Sequence, residues 1–341
     1  MEKKFDVTAL GELLIDVTEN GISSQGNPML EANPGGAPCN VLAMLQKLGK
    51  KTSFIGKVGK DQFGRMLKET IESVGIDSGN LIMDTDVHTT LAFVHTFADG
   101  DRDFSFYRNP GADMMLTVGE VQRDRIEASK LFHFGTLSST HKQCREATRY
   151  AIQCAKAAGV LVSFDPNLRE PLWADPEDAK REIAYGLENA DIVKISDNEV
   201  VFMTGEKDYE RAARILQEKY RIPLLFLTLG REGSRAYYKD MHAEAAGFIQ
   251  EDTIETTGAG DTFTGCVLSR ILERGGIDEL SETELKDMLV FANAGASLIT
   301  TRRGALKVMP EREEIEDLVE KRLGGAAFSR KLDICEKMDV L

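Results

Sequence analysis

The stretch from Ile254 to Thr264, IETTGAGDTFT, sets two glycines around an alanine directly before an aspartate, and apolar residues at helical spacing follow it. The first turn of a helix leaves backbone N–H groups unpaired and carries partial positive charge. Glycine removes the Cβ that would keep a bulky anion away from those groups. An aspartate there could simply cap the helix, which is worth about 1 kcal/mol. A cap needs only one good residue, and the flanking glycines would then cost stability without a return. Gly258, Ala259, Gly260 and Asp261 therefore read as an anion site with a carboxylate pointing into it.

A base beside an anion hole suits phosphoryl transfer to a hydroxyl. The carboxylate takes the hydroxyl proton while the helix N-terminus stabilises charge on the transferring phosphate. The chain has no G-x-x-x-x-G-K-[ST] segment, no H-R-D or D-F-G set and no G-x-G-x-x-G fingerprint. P-loop enzymes and protein kinases drop out, and a dinucleotide-dependent dehydrogenase becomes the weaker reading.

The flanking sequence supplies a frame. FDVTAL (5–10) is β-rich and alternates, PGGAPCNVLAMLQKLG (34–49) is a turn running into a helix, and TSFIGKVG (52–59) is a second strand before another helix that ends at Gly75. KLFHFG, VLVSFD, ADIVKIS and LLFLTLG continue the strands, with a helix over REATRYAIQCAKAAG. This rhythm predicts a mostly parallel sheet with helices on both faces. It breaks at TTLAFVHTFADGDRDFSFYR (89–108), two alternating runs around Asp99-Gly100 that predict a hairpin projecting as a separate small sheet. Later helices are expected from Gly260 to about Arg274, Ser281 to Arg302 and Glu311 to Leu323, and residues 324–341 read as a tail or an extra helix.

In open parallel sheets, ligands collect beyond the carboxyl ends of the strands. Glu12 and Asp16, the group Gly35, Gly36 and Asn40, the group Asp165, Asn167 and Arg169, and the pair Thr228 and Gly230 all fall at such points. The 341-residue chain has a formal net charge of -14, which excludes a nucleic-acid partner that needs a basic face. Its five cysteines form no C-x-x-C pair, and Asp6, Glu12 and Asp16 interrupt the N-terminal apolar run. The expectation is a cytoplasmic protein with reduced thiols, no signal peptide and no membrane partner.

PGGAPCNVLAMLQKLGKKTSFIGKVGKDQFG resembles the N-terminal signature of the ribokinase-like (PfkB) sugar kinases, and IETTGAGDTFTG resembles their C-terminal one. FYRNPGADMML, SFDPNLREPLW and TRRGAL are similar to the fructokinase branch. The resemblance spans roughly residues 5 to 312. It implies a three-layer αβα sandwich over residues 1–323, a small β lid from about 13–34 and 86–112, and transfer from ATP with Mg2+ to fructose, giving fructose 6-phosphate. By the same resemblance Asp261 is the general base, and the amides of Gly258, Ala259 and Gly260 form the anion hole. Asp16, Gly35, Gly36 and Asn40 hold the sugar, Arg108 reaches the sugar or phosphate from the lid side, and Asn167 and Arg169 lie near the phosphates. Lys194 and Glu199 face the phosphates and hydrated magnesium, Thr228, Gly230 and Gly233 form the nucleotide turn, and Asn293 lies by the adenine.

Two positions depart from the pattern: Ser196 stands where an N-x-x-E motif has asparagine, and Glu255 stands where relatives carry an aspartate that helps bind potassium. Homodimerisation through the lid is expected because an uncovered sheet is a liability. The alternatives are a related kinase for 2-keto-3-deoxygluconate or a riboside, and a non-catalytic sugar sensor. The five histidines show no metal spacing and read as structural or exposed.

Overall fold

The computed structural model describes residues 3–96 and 102–323. The Asp99-Gly100 turn, Phe97 and residues 324–341 lie outside the described residues. In chain order the strands are β1 (Phe5–Leu10), β2 (Leu14–Ile22), β3 (Pro28–Gly35), β4 (Thr52–Gly59), β5 (Asp77–Asp84), β6 (Leu91–Thr96) and β7 (Arg102–Tyr107). They continue as β8 (Ser129–Phe134), β9 (Leu161–Phe164), β10 (Ile192–Ser196), β11 (Leu224–Thr228), β12 (Gly233–Tyr238) and β13 (Met241–Ala246).

The large sheet runs β13-β12-β11-β10-β9-β8-β1-β4-β5. Every pairing from β5 to β11 is parallel, and β12 and β13 add an antiparallel edge. β11 shows how the residues build this arrangement: Leu224 and Phe226 enter one hydrophobic cluster, Leu225 and Leu227 the other. A strand apolar on both faces must be covered on both. Helices Ala37–Lys47, Ala259–Arg274 and Glu282–Ile299 pack into the first cluster. Helices Lys142–Ala157, Pro176–Asn189 and Tyr209–Tyr220 pack into the second. The result is the three-layer αβα sandwich that the sequence implied. No helix among the described residues is long and apolar enough to cross a membrane.

The second sheet has the order β3-β2-β6-β7, and β6 pairs antiparallel with β7 as the alternation predicts. β2 starts only a few residues after β1 leaves the large sheet, so Glu12 sits where the two sheets join. It is 3% exposed, and its Oε1 accepts from the Ala37 amide at 3.0 Å, fastening the junction to the start of a helix.

Arg108, expected to reach the sugar or phosphate, follows β7 and is bound by protein partners on all its nitrogens. Its Nε donates to Asp113 Oδ2 at 2.8 Å, Nη1 to Thr140 Oγ1 at 2.7 Å and Nη2 to the Leu137 carbonyl at 3.1 Å. A charge removed from water needs a close counter-charge and filled hydrogen bonds, and Asp113, five residues on, supplies both. The pair props the base of the small sheet. Replacing Arg108 with Met strands the Asp113 carboxylate and is expected to lower unfolding free energy by about 3–5 kcal/mol. A denaturant titration reads this; a surface ligand contact would shift stability by only about 0.5 kcal/mol.

Candidate active site

Asp261 lies in the first turn of helix Ala259–Arg274, whose N-cap is Gly258 at φ 77° with no side-chain cap. A Cβ on Gly258 would stand 2.8 Å from the Ala305 Cβ, so both conformation and space call for glycine. Helix Ala37–Lys47 starts behind Gly36 at φ 131°, where a Cβ would meet the Glu12 carbonyl at 2.5 Å. Farther along, Gly265 lets the two helices close: a Cβ there would lie 2.6 Å from the Met44 Cβ. The two helix starts therefore meet, and Asn40 Nδ2 donates to Asp261 Oδ2 at 2.8 Å. Asn40 Oδ1 is buried without a partner.

A cavity of about 630 Å³ opens in front of this pair. It is lined by Asp16, Gly35, Gly36, Asn40, Asn167, Arg169, Lys194, Glu255, Gly258, Gly260 and Asp261, together with Glu12, Asn33, Arg303 and Gly304. Gly35 makes room for Asp16, whose Oδ2 would be 2.3 Å from any Cβ at position 35. Residues from Glu12 to Gly304 thus line one cavity. Glu255 Oε1 accepts from the Gly304 amide at 2.6 Å, tying the anion loop to the turn that follows the helix Glu282–Ile299.

Charge here is unbalanced. Burial raises the pKa of Asp261, partly offset by the Asn40 bond and by the cations Lys194 and Arg169. Burial pushes Asp16 up to about 7; Arg169 opposes the shift, and Asp261 and Glu255 add to it. Burial likewise lifts Asp165 to about 6 against the pull of Lys194. Lys194 Nζ donates to Asp165 Oδ1 at 3.2 Å, and although burial works against its charge, Asp165, Glu199 and Asp261 hold its pKa up.

Beyond Lys194, both Glu199 oxygens are held by amides: Oε1 accepts from Leu168 and Oε2 from Ser196, each at 2.8 Å. Ser196 pairs with Thr228 across β10 and β11, which brings Gly230 and Gly233 to the same end of the sheet. Those three and Asn293 do not line the cavity. Asn293 Nδ2 donates to the Ala245 and Ala246 carbonyls at 3.0 and 3.3 Å, and its Oδ1 accepts from Ser234 Oγ at 2.8 Å. Its amide braces the β12–β13 edge.

Thr264 and Arg303 carry no role in the sequence reading, yet both belong here. Thr264 Oγ1 donates to the Gly260 carbonyl at 2.9 Å and to Asp165 Oδ2 at 3.4 Å. TRRGAL carried the hint for Arg303, which is exposed at the cavity rim.

Fold and cavity together define a carbohydrate kinase. The model of the pfkB family carbohydrate kinases matches residues 4–312, and the chain belongs to that family. It is 42% identical over 307 residues to the probable fructokinase-2 of Arabidopsis thaliana, covering 89% of this chain and 92% of that one. The fructokinase of Xylella fastidiosa with bound ATP superposes with a TM-score of 0.85 at 29% identity, covering 93% of this chain and 99% of the other. A fructokinase double mutant from Vibrio cholerae O395, in a fructose, ADP and potassium ion bound form, gives 0.83 at 28% identity over 94% and 100%. The chain is a fructokinase-like sugar kinase.

The Asp16 shift makes a pH prediction. Between about pH 4 and 7 the folded state keeps a proton that the unfolded chain has released, so apo stability falls as pH rises through that window and then levels off. Asp16→Asn is expected to stabilise the apo protein by up to about 4 kcal/mol at pH 8 and hardly at all at pH 4. Paired urea titrations at the two pH values measure the difference.

Proposed function

We propose that the chain transfers the γ-phosphoryl of ATP to the primary hydroxyl of D-fructose, giving fructose 6-phosphate in one in-line step. The observation that carries this reading is the half-buried, Asn40-oriented carboxylate of Asp261 in the first turn of a helix that has no side-chain cap. In this reaction Asp261 takes the hydroxyl proton as the oxygen attacks, and its raised pKa makes it a better base than a surface aspartate. The amides of Gly258 and Gly260 receive the charge on the transferring group, while that of Ala259 also donates to the Thr256 carbonyl at 3.3 Å.

The sugar fits the other wall. Asp16 and Asn40 line this side as polar partners for its hydroxyl groups, and Gly35 and Gly36 let it approach the backbone. Arg169 and Asn167 face it from the strand end beyond β9 and meet the phosphoryl group beside Lys194. The nucleotide occupies the Lys194, Thr228, Gly230 and Gly233 end of the sheet.

The donor set suits magnesium carried in with the nucleotide. Asp165, Glu199 and Asp261 surround the single ammonium of Lys194, so the site has carboxylate charge to spare, and Mg2+ is usually bound by one or two carboxylates plus phosphates. Glu199, already fixed by two amides, would hold its hydration water; when bound, the ion neutralises phosphate charge. Potassium belongs to the proposal through Glu255, whose carboxylate gives the loop a protein tie besides any ion. A cytoplasmic setting is supported by the buried free thiols of Cys39, Cys144, Cys154 and Cys266.

Asp261→Asn is expected to cut turnover about 100-fold or more while leaving fructose affinity near normal. Coupled ADP-release assays over fructose, ribose and 2-keto-3-deoxygluconate, with calorimetry for binding, provide both readouts. Equal turnover on all three sugars would remove the substrate assignment. The small sheet carries Ile22 and Tyr107 at 65% and 68% exposure, with Met29 and Leu30 also open, and we assign these to a homodimer contact. Light scattering at micromolar concentration should give twice the chain mass.

A further inference from the structure

A second, much smaller cavity lies behind the first. It has room for about 10 Å³, and its lining includes Glu12, His133, Thr136, Asp165 and Asp261. Asp261 lines both spaces and so forms part of the partition between them. The rear chamber is walled by some of the most deeply buried polar groups of the protein: Glu12, His133, Thr136 and Asp165 are each 3% exposed or less. A space of one probe sphere is enough for a single water, provided that two to four polar groups can bond to it. The space is at the lower limit for one water, and the polar groups among its lining are what would hold it there.

His133 is the member with no role so far. It lies in β8 opposite Ser163 of β9, and its Nδ1 is 3.1 Å from Ser163 Oγ. That bond fixes the ring and leaves Nε2 as its other polar atom. Burial, with Lys194 nearby, lowers the ring's pKa to about 3, so the imidazole is neutral and can offer one donor and one acceptor without adding charge. The carboxylates around it are acceptors when ionised. Each already accepts from a protein donor, and a water between them would donate to lone pairs that remain, with the neutral imidazole as the group that can orient it.

We propose that this rear chamber holds one ordered water bridging Asp261 and Asp165, and that His133 is a positioning residue that orients the water and so braces the Asp261 carboxylate from behind. Asn40 holds one oxygen of Asp261 at 2.8 Å from the helix side. The water restrains the carboxylate from the opposite side, which keeps it aimed at the sugar hydroxyl. The inference rests on Asp261 being the base, and the test separates the two.

The full-length protein is crystallised to high resolution with fructose, alongside His133→Leu, which keeps the side-chain bulk and removes the polar atoms, and His133→Gln, which restores a donor and an acceptor. The wild type should show a water within hydrogen-bond distance of Asp261 and Asp165, and the Leu variant should lose it. In the Leu variant kcat should fall about ten- to a hundred-fold, as expected when a reacting group is misplaced, with the fructose KM within two-fold. The Gln variant should recover most of the lost kcat. If His133→Leu fails to fold, Ser163→Ala serves instead, since it frees the ring to rotate, and it should lower kcat in the same sense. A dry chamber in the wild-type map overturns the proposal. So does an unchanged kcat in His133→Leu or Ser163→Ala while Asp261→Asn loses turnover, and in that case the base reading stands alone. If Asp261→Asn keeps its turnover, the base reading fails first and this inference falls with it.

Discussion

The hydrogen bond between Asn40 and Asp261 joins two helix starts that are 221 residues apart in sequence, and the geometry of the whole site depends on it. It exists only because three glycines permit it. Gly36 and Gly258 let the chain turn into each helix with positive φ, and Gly265 lets the helix barrels touch at Met44. A side chain at any of the three would collide with backbone or with a buried neighbour, moving one helix start relative to the other. Packing, then, sets the chemistry: the carboxylate is aimed by how closely two helices approach several residues downstream.

The same closeness explains the electrostatics. Asp16, Glu12, Asp165 and Asp261 all have raised pKa values, and burial is the first cause in each case. Lys194 and Arg169 offset only part of this charge. Such a cluster costs the empty protein stability, because carboxylates removed from water without full pairing repel one another. In the proposed reaction the cost is recovered on binding. Sugar hydroxyl groups would donate to the acceptors, and the magnesium ion carried with the nucleotide would place positive charge near Asp165 and Glu199. The site is arranged for its occupied state, as preorganised electrostatics requires.

Much of this was legible in the sequence because it is written locally. The αβ rhythm, the small-sheet hairpin and the GAGD helix start each follow from spacing and turn chemistry within about twenty residues. What the sequence does not carry is the identity of distant partners. Arg108 looks like a binding arginine at a strand end, and only the fold places Thr140 and the Leu137 carbonyl around it. Asn293 sits in a helix whose sequence gives no sign of the β12–β13 edge, whose carbonyls consume its amide. His133 reads as one more strand residue until Ser163 and the chamber behind Asp261 are set beside it. Polar residue types announce that a bond will be made, but not with whom.

Glu255 shows the same limit from the other side, since the sequence marks it as unusual and the structure gives it a use. Ile254 and Glu255 both donate their amides to the Thr300 carbonyl, at 2.8 and 3.2 Å, and the Glu255 carboxylate reaches back to the Gly304 amide at 2.6 Å. Three bonds therefore stitch the segment before the anion loop to the turn after a long helix. The next contact along, Gly258 against Ala305, carries that stitching to the helix start itself. Aspartate, one methylene shorter, would fall about 1.5 Å short of Gly304 without a backbone shift. The longer side chain also places its charge where it raises Asp16. A single methylene thus fastens the loop and, through the same carboxylate, adds to the charge imbalance at Asp16.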